Sequence, residues 1–167
     1  MLHDVVVCVN LYLHLWYDCV SLTKERYYFH EPSRNGSCLL WDLSSPSPTL
    51  TTTMHQAHSS NITDISFSPT NPVLIASCSN DRTVAFHDID SNRTVQVLSP
   101  SYPKDKTSIG GLTTLAFRAD GLTLAVGLDC GLVYLYDLRH TSNGPIFMMD
   151  AWGDGVDDGI GSLVKRV

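Results

Sequence analysis

A phrase ending in an aromatic residue or histidine followed by aspartate recurs three times: LLWDL at Leu39 to Leu43, VAFHDI at Val84 to Ile89 and YLYDLR at Tyr134 to Arg139. Aligned on Trp41, His87 and Tyr136, the copies lie 46 and 49 residues apart. A period of this length marks a supersecondary unit that cannot bury its hydrophobic faces alone, so successive units must stack on one another. A reactive role for His87 therefore has to be weighed against a structural one shared with Trp41 and Tyr136.

The middle copy is the clearest. NITDISF (Asn61 to Phe67) alternates as a half-buried strand, SPTNP (Ser68 to Pro72) supplies a turn, and VLIASC (Val73 to Cys78) is the continuous apolar run of a strand covered on both faces. Ser79 to Arg82 turn into TVAFHD (Thr83 to Asp88), and Ser91 to Arg93 turn into TVQVL (Thr94 to Leu98). The third copy repeats the plan with LTTLAF (112–117), LTLAVG (122–127), LVYLYDL (132–138) and PIFMM (145–149), and places Gly121 and Gly131 at its turns. In the first copy ERYYFH (25–30), a turn over Pro32 to Gly36, SCLLWDL (37–43) and LTTTM (50–54) supply three strands, and the fourth has to come from the segment before them. Four strands per unit and no helix predict an all-β chain.

The hydrophobic content of 43% over 167 residues suits a packed domain. A net charge of -6 gives no electrostatic footprint for a nucleic-acid backbone. The apolar start VVVCVNLYLHLWYDCV is interrupted by Asn10, His14 and Asp18 and lacks a basic beginning, which argues against both a membrane span and a secretory signal. Five widely spaced cysteines, Cys8, Cys19, Cys38, Cys78 and Cys130, with no Cys-x-x-Cys pair, read as reduced thiols of an intracellular protein. The expected organisation is an atypical segment over 1–24, three repeats over 25–149, and a flexible acidic, glycine-rich tail over 150–167.

The run FSPTNPVLIASCSNDRTVAFHD, Phe67 to Asp88, preceded by His58, resembles the body of a WD40 repeat. The resemblance implies a β-propeller of four-stranded antiparallel blades. Propellers use about four to eight blades, whereas this chain holds about three and a half periods. It is therefore expected to be a propeller fragment of about three blades, closed by missing blades or by a second chain. In the WD40 family a buried network of His, Ser or Thr, Asp and Trp holds each blade. By position that network falls on His58, Ser77, Asp81 and His87 in the middle copy, with Trp41 and Tyr136 at the aromatic position of the other two. The first copy departs at Asn35, and the third at Val126 and Cys130.

The same residues permit sharper chemistry. His55, His58 and His87 would make a metal cluster, and Ser77, His58 and Asp81 a hydrolytic triad. No helical spacing joins His55 to His58, and the repeat already accounts for the serine, histidine and aspartate, so neither a catalytic residue, a metal nor a cofactor is expected. The tail DAWGDGVDDGIG, Asp150 to Gly161, fails as a calcium loop: registered on Asp154, Lys165 occupies the twelfth position. The acceptor patterns at Asn35, Asn61 and Asn92 fall at turns, and SSPSPT, Ser44 to Thr49, is the loop where phosphorylation would act.

Propellers serve mostly as rigid platforms, so the expected function is a non-enzymatic scaffold that binds other proteins through its edges and loops. LTTLAFRADGLTLAVG followed by YLYDLR resembles the later blades of the centrosomal WD-repeat family that recruits the γ-tubulin ring complex. That resemblance implies a cytoplasmic protein at centrosome and spindle, acting in microtubule nucleation with γ-tubulin complex components as partners. Tyr136, Asp137 and Arg139 also resemble the box by which some WD40 proteins dock on a cullin-RING ubiquitin ligase adaptor as substrate receptors. Neither reading involves nucleic acid or a membrane.

Overall fold

The computed structural model describes residues 28–32, 37–42, 49–54, 58–100 and 110–151. The segment over 1–24, His55, Asn35, nearly all of the SSPSPT loop and nearly all of the acidic tail lie outside these residues.

Among the described residues, eleven strands form three antiparallel sheets in chain order. The first blade comprises β1 (Tyr28–Pro32), β2 (Cys38–Asp42) and β3 (Thr49–Met54); Pro32 ends β1 rather than opening the turn. The second comprises β4 (Ile62–Phe67), β5 (Leu74–Ser79), β6 (Val84–Asp88) and β7 (Arg93–Leu98). The third comprises β8 (Leu112–Phe117), β9 (Thr123–Leu128), β10 (Leu132–Asp137) and β11 (Phe147–Asp150), with a 3-10 turn over Thr141–Asn143 before the last strand.

The repeat extends to the irregularities of the ladders. Thr63 on β4 and Thr113 on β8 are each the extra residue of a bulge one position after the strand begins. A second bulge interrupts β2–β3 between Leu40 and Trp41 and β6–β7 between Phe86 and His87, at equivalent positions of the first two blades. The turns follow suit: Gly131 has φ 84°, and Arg82, at the same place one blade earlier, has φ 71°, a left-handed conformation that costs a side-chain-bearing residue about 1 kcal/mol.

Successive blades cover each other face to face. One face of the second blade, carrying Ile65, Phe67 and Ile75, packs with Leu40 of the first blade. Its other face, carrying Ala76, Cys78, Val84, Phe86 and Leu98, packs with Leu112, Leu115, Leu124, Val126, Tyr134 and Tyr136 of the third. Strand β5 is therefore buried over Ile75 to Ser79, in keeping with its unbroken apolar run.

Polar bonds fix the rotation of the third blade against the second. The Asp64 carboxylate accepts from the Thr114 hydroxyl at 2.7 Å and from the Leu115 N–H at 2.9 Å through one oxygen, while its other oxygen accepts from the Ile65 N–H at 2.8 Å. Thr63 donates to the Leu112 carbonyl at 2.7 Å, a direction opened by the bulge at Thr63. Asp64→Ala removes a charged acceptor from this joint and is expected to lower stability by about 1–3 kcal/mol. Thr114→Val, which spares the Leu115 bond, should cost less; equilibrium urea unfolding of the two variants measures the order, and equal or reversed losses would refute this account of the joint.

Candidate functional site

On the face of the second blade covered by the first blade, five side chains form an unbroken chain of hydrogen bonds. His58 Nδ1 lies 3.1 Å from Asp81 Oδ2, His58 Nε2 lies 2.8 Å from Ser77 Oγ, Ser77 Oγ lies 2.8 Å from His87 Nε2, and His87 Nδ1 lies 3.1 Å from Thr94 Oγ1. The ladders set this geometry, because Ser77 on β5 pairs with Ala85 on β6 and His87 pairs with Ile75 and Thr94, so all point to one face. His58 enters from the segment before β4, and Asp81 sits in the β5–β6 turn.

The proton positions follow from the carboxylate. An ionised Asp81 only accepts, so His58 Nδ1–H donates to it and His58 Nε2 is left to accept from the Ser77 hydroxyl. Ser77 Oγ then accepts from His87 Nε2–H, and His87 Nδ1 accepts from the Thr94 hydroxyl. Every hydrogen has one acceptor with both imidazoles neutral. Asp81 is held further by the Ser59 N–H at 2.8 Å, the Thr83 N–H at 2.9 Å and the Thr83 hydroxyl at 2.6 Å.

Electrostatics agree with that assignment. Burial drives the His87 pKa down from its usual 6.5 to about 4, and the neighbouring His58 pushes the same way. Burial also lowers His58, outweighing the attraction of Asp81. For Asp81 burial opposes ionisation, yet the bonds from Thr83 and Ser59 hold its carboxyl below the ordinary range.

Ser77, His58 and Asp81 thus have the connectivity of a hydrolytic triad, but not its access. Ser77 and His87 are 0% exposed and His58 5%. The Ser77 oxygen, which would have to attack a substrate, already accepts from His87. The arrangement can align and stiffen strands; we propose that it holds the second blade together.

The third blade fills the same space differently. Val126, Cys130 and Tyr136 stand at the positions of Ser77, Asp81 and His87, and Tyr134 replaces Ala85. Tyr134 and Tyr136 are buried and meet edge to face, with centroids 6.4 Å apart and an interplanar angle of 81°. Burial raises the Tyr134 pKa, as does the nearby Cys130 thiol. In the first blade Trp41 lies on β2 opposite Phe29.

The chain matches known proteins. A family model described as "Nucleolar protein 10-like, N-terminal domain", a β-propeller domain, matches residues 49–154. The chain belongs to this β-propeller family. Protein NEDD1 of Bos taurus and of Homo sapiens are each 35% identical to it over 107 residues, 64% of this chain and 15% of theirs. Histone acetyltransferase type B subunit 2 of Kluyveromyces lactis is 32% identical over 126 residues, 74% of this chain and 28% of its own length. A chain in the crystal structure of the mitotic checkpoint complex superposes with a TM-score of 0.60 at 23% identity, covering 76% of this chain and 38% of that one. The repeats are WD40 blades similar to those of Protein NEDD1, and the chain spans 15–28% of the length of these curated relatives.

Within this propeller segment the proposed adaptor box divides. Tyr136 is 2% exposed and belongs to the core between the second and third blades. Asp137 and Arg139 reach the surface, where the guanidinium donates to both carboxylate oxygens at 2.9 and 2.7 Å. Those bonds hold the Asp137 carboxyl well below its usual range and raise Arg139. The comparisons give the ligase-receptor reading no support.

Sequence reasoning overlooked Thr94, Thr83 and Tyr134. The signal for Thr94 was present: once His87 replaces an indole, its second ring nitrogen needs a partner on the next strand, and the first polar residue across the bulge supplies one.

A histidine whose folded pKa lies below its unfolded value stabilises the fold fully above the unfolded pKa and loses that contribution as pH falls. Between pH 6.5 and about 4 the unfolded chain takes up the His87 proton first, so stability should drop by up to about 3 kcal/mol across that window. His87→Trp should flatten this dependence and hold or raise stability at pH 7. Urea unfolding at pH 7 and pH 5 tests both points; an unchanged pH slope, or a loss of more than about 2 kcal/mol at pH 7, the scale of overpacking a filled site, would overturn the assignment.

Proposed function

We propose that this chain is part of a non-catalytic scaffold whose propeller addresses a centrosomal or spindle structure and acts with γ-tubulin ring complex components in microtubule nucleation. The observation that carries the reading is the 35% identity to Protein NEDD1 over 107 residues. The phrases LTTLAFRADGLTLAVG and YLYDLR, which form β8, β9 and β10, support it at the level of wording. A scaffold role fits a site whose polar side chains are spent on one another inside the blade. In the cell the reading implies a cytoplasmic protein concentrated at centrosomes.

The test is localisation of the tagged chain in dividing cells stained for γ-tubulin, with γ-tubulin recovery on the tagged chain measured in parallel. Coincident foci are expected, and they should be lost with a fold-disrupting Ile75→Asp variant. A cooperative folded chain that stays diffuse would overturn the proposal, and nuclear accumulation would point instead toward the histone acetyltransferase subunit, 32% identical over 126 residues.

A further inference from the structure

The last strand of the second blade is a sheet edge. β7 pairs with β6 on one side and, among the described residues, with no strand on the other. Arg93 to Val97 are all exposed. In an antiparallel strand alternate residues turn both N–H and C=O away from the neighbour, so such an edge holds backbone groups that a further strand can meet. Edges are ordinarily defended by charge, proline, bulges or brevity. β11, the equivalent strand of the third blade, is four residues long and ends on Asp150. β7 has six residues, and its one charge, Arg93, stands at its start. Its bulge at Val95 lies near that start too, so the pairing with β6 runs unbroken from Gln96 to Leu98.

This regular stretch is also one wall of a crevice. Gln96, Leu98 and Ser99 face Thr141, Ser142 and Gly144 of the third blade across an open space of about 300 Å³. The Gln96 amide donates to the Thr141 hydroxyl at 2.7 Å and joins the two walls, leaving the Thr141 hydroxyl its own hydrogen to donate. Among the described residues, the lining holds amide and hydroxyl side chains and no charge. A carboxylate or ammonium entering it would shed water without meeting an opposite charge, whereas a hydroxyl or amide exchanges its water for equivalent partners. On the other face of β7, Val97 is 53% exposed. A strand laid along the edge therefore sets one side chain into the crevice beside Gln96 and the next against Val97.

We propose that β7 receives an extended peptide of another protein, one in which uncharged hydroxyl or amide side chains alternate with apolar ones, and that the peptide extends the four-stranded sheet by a fifth strand. Main-chain bonds to β7 supply affinity, and the crevice and Val97 read alternate side chains. The wall over Thr141 to Gly144 narrows the approach, which suits a single strand better than the sheet of a second copy. This docking chemistry is independent of a centrosomal role.

Fluorescence polarisation of labelled, end-capped peptides titrated with the full chain tests the proposal. A hexapeptide alternating threonine with valine is expected to bind saturably, and the same peptide with glutamate for threonine, or with proline for valine, is not. Val97→Lys puts a charge on the exposed edge and Ser142→Glu puts one in the crevice; each should abolish binding while the melting temperature stays at the wild-type value. Absence of saturable binding by the threonine–valine peptide would overturn the proposal, as would binding that survives both substitutions. Equal binding of the glutamate peptide would refute the preference for neutral side chains. A wild type that is dimeric without peptide, and monomeric as Val97→Lys, would assign the edge to a second copy instead.

Discussion

A four-stranded sheet has two faces and can fold onto neither of them, and the architecture answers to that limitation. The second blade is covered on both sides, by Leu40 of the first blade and by the Leu112, Leu115 and Leu124 layer of the third. Burial of β5 over Ile75 to Ser79 and of β6 over Val84 to His87 removes water from their polar side chains, and a buried hydroxyl or imidazole without a partner costs about 1–3 kcal/mol. A polar residue can survive at Ser77 or His87 only when every hydrogen on that face has somewhere to go. The chain from Thr94 to Asp81 meets that condition because its single anion lies at one end and sets the direction of every bond after it.

The leading faces of the second and third blades show two solutions to one volume. Where the second blade has Ser77, Ala85 and His87, the third has Val126, Tyr134 and Tyr136. Exchanging Ala85 for Tyr134 fills by bulk what the histidines and serine fill by hydrogen bonding, and the two rings meet at the edge-to-face geometry that aromatic pairs favour. The network is therefore not a requirement of the fold. It is one way of meeting the demand that both faces of a strand be dry, and it brings acid sensitivity that the aromatic solution lacks, since a second proton on either imidazole puts a charge into a site that burial disfavours.

Much of this was legible in the sequence, for identifiable reasons. Strands in the second and third blades follow from runs such as LIASC and LTTLAF, bounded by turns whose Gly, Asn and Asp residues fit the chain reversal. The grouping of His58, Ser77, Asp81 and His87 was legible because a repeat family fixes their offsets. Ladder irregularities were not. The bulge at Thr63 breaks the alternation of β4, and neither it nor the cross-blade role of Asp64 leaves a mark in hydrophobic period, since both depend on which blade comes next. Tyr134 was opaque too, because its significance appears only on comparison with Ala85 in another copy.

The phrase LTTLAFRADGLTLAVG bears unequally on fold and function. Within it, Leu112, Leu115, Leu124 and Val126 are core residues packed against the second blade, and residues at such positions report how blades stack. Arg118 and Asp120 in the same phrase are exposed and paired at 3.3 Å, on the loop that also lies near Arg139. Partners read such loops, because backbone and side chains there are free of packing constraints. Two propellers can share every buried position and bind different proteins, so the exposed residues between β8 and β9 and after β10 are where a centrosomal function would separate from that of any other blade.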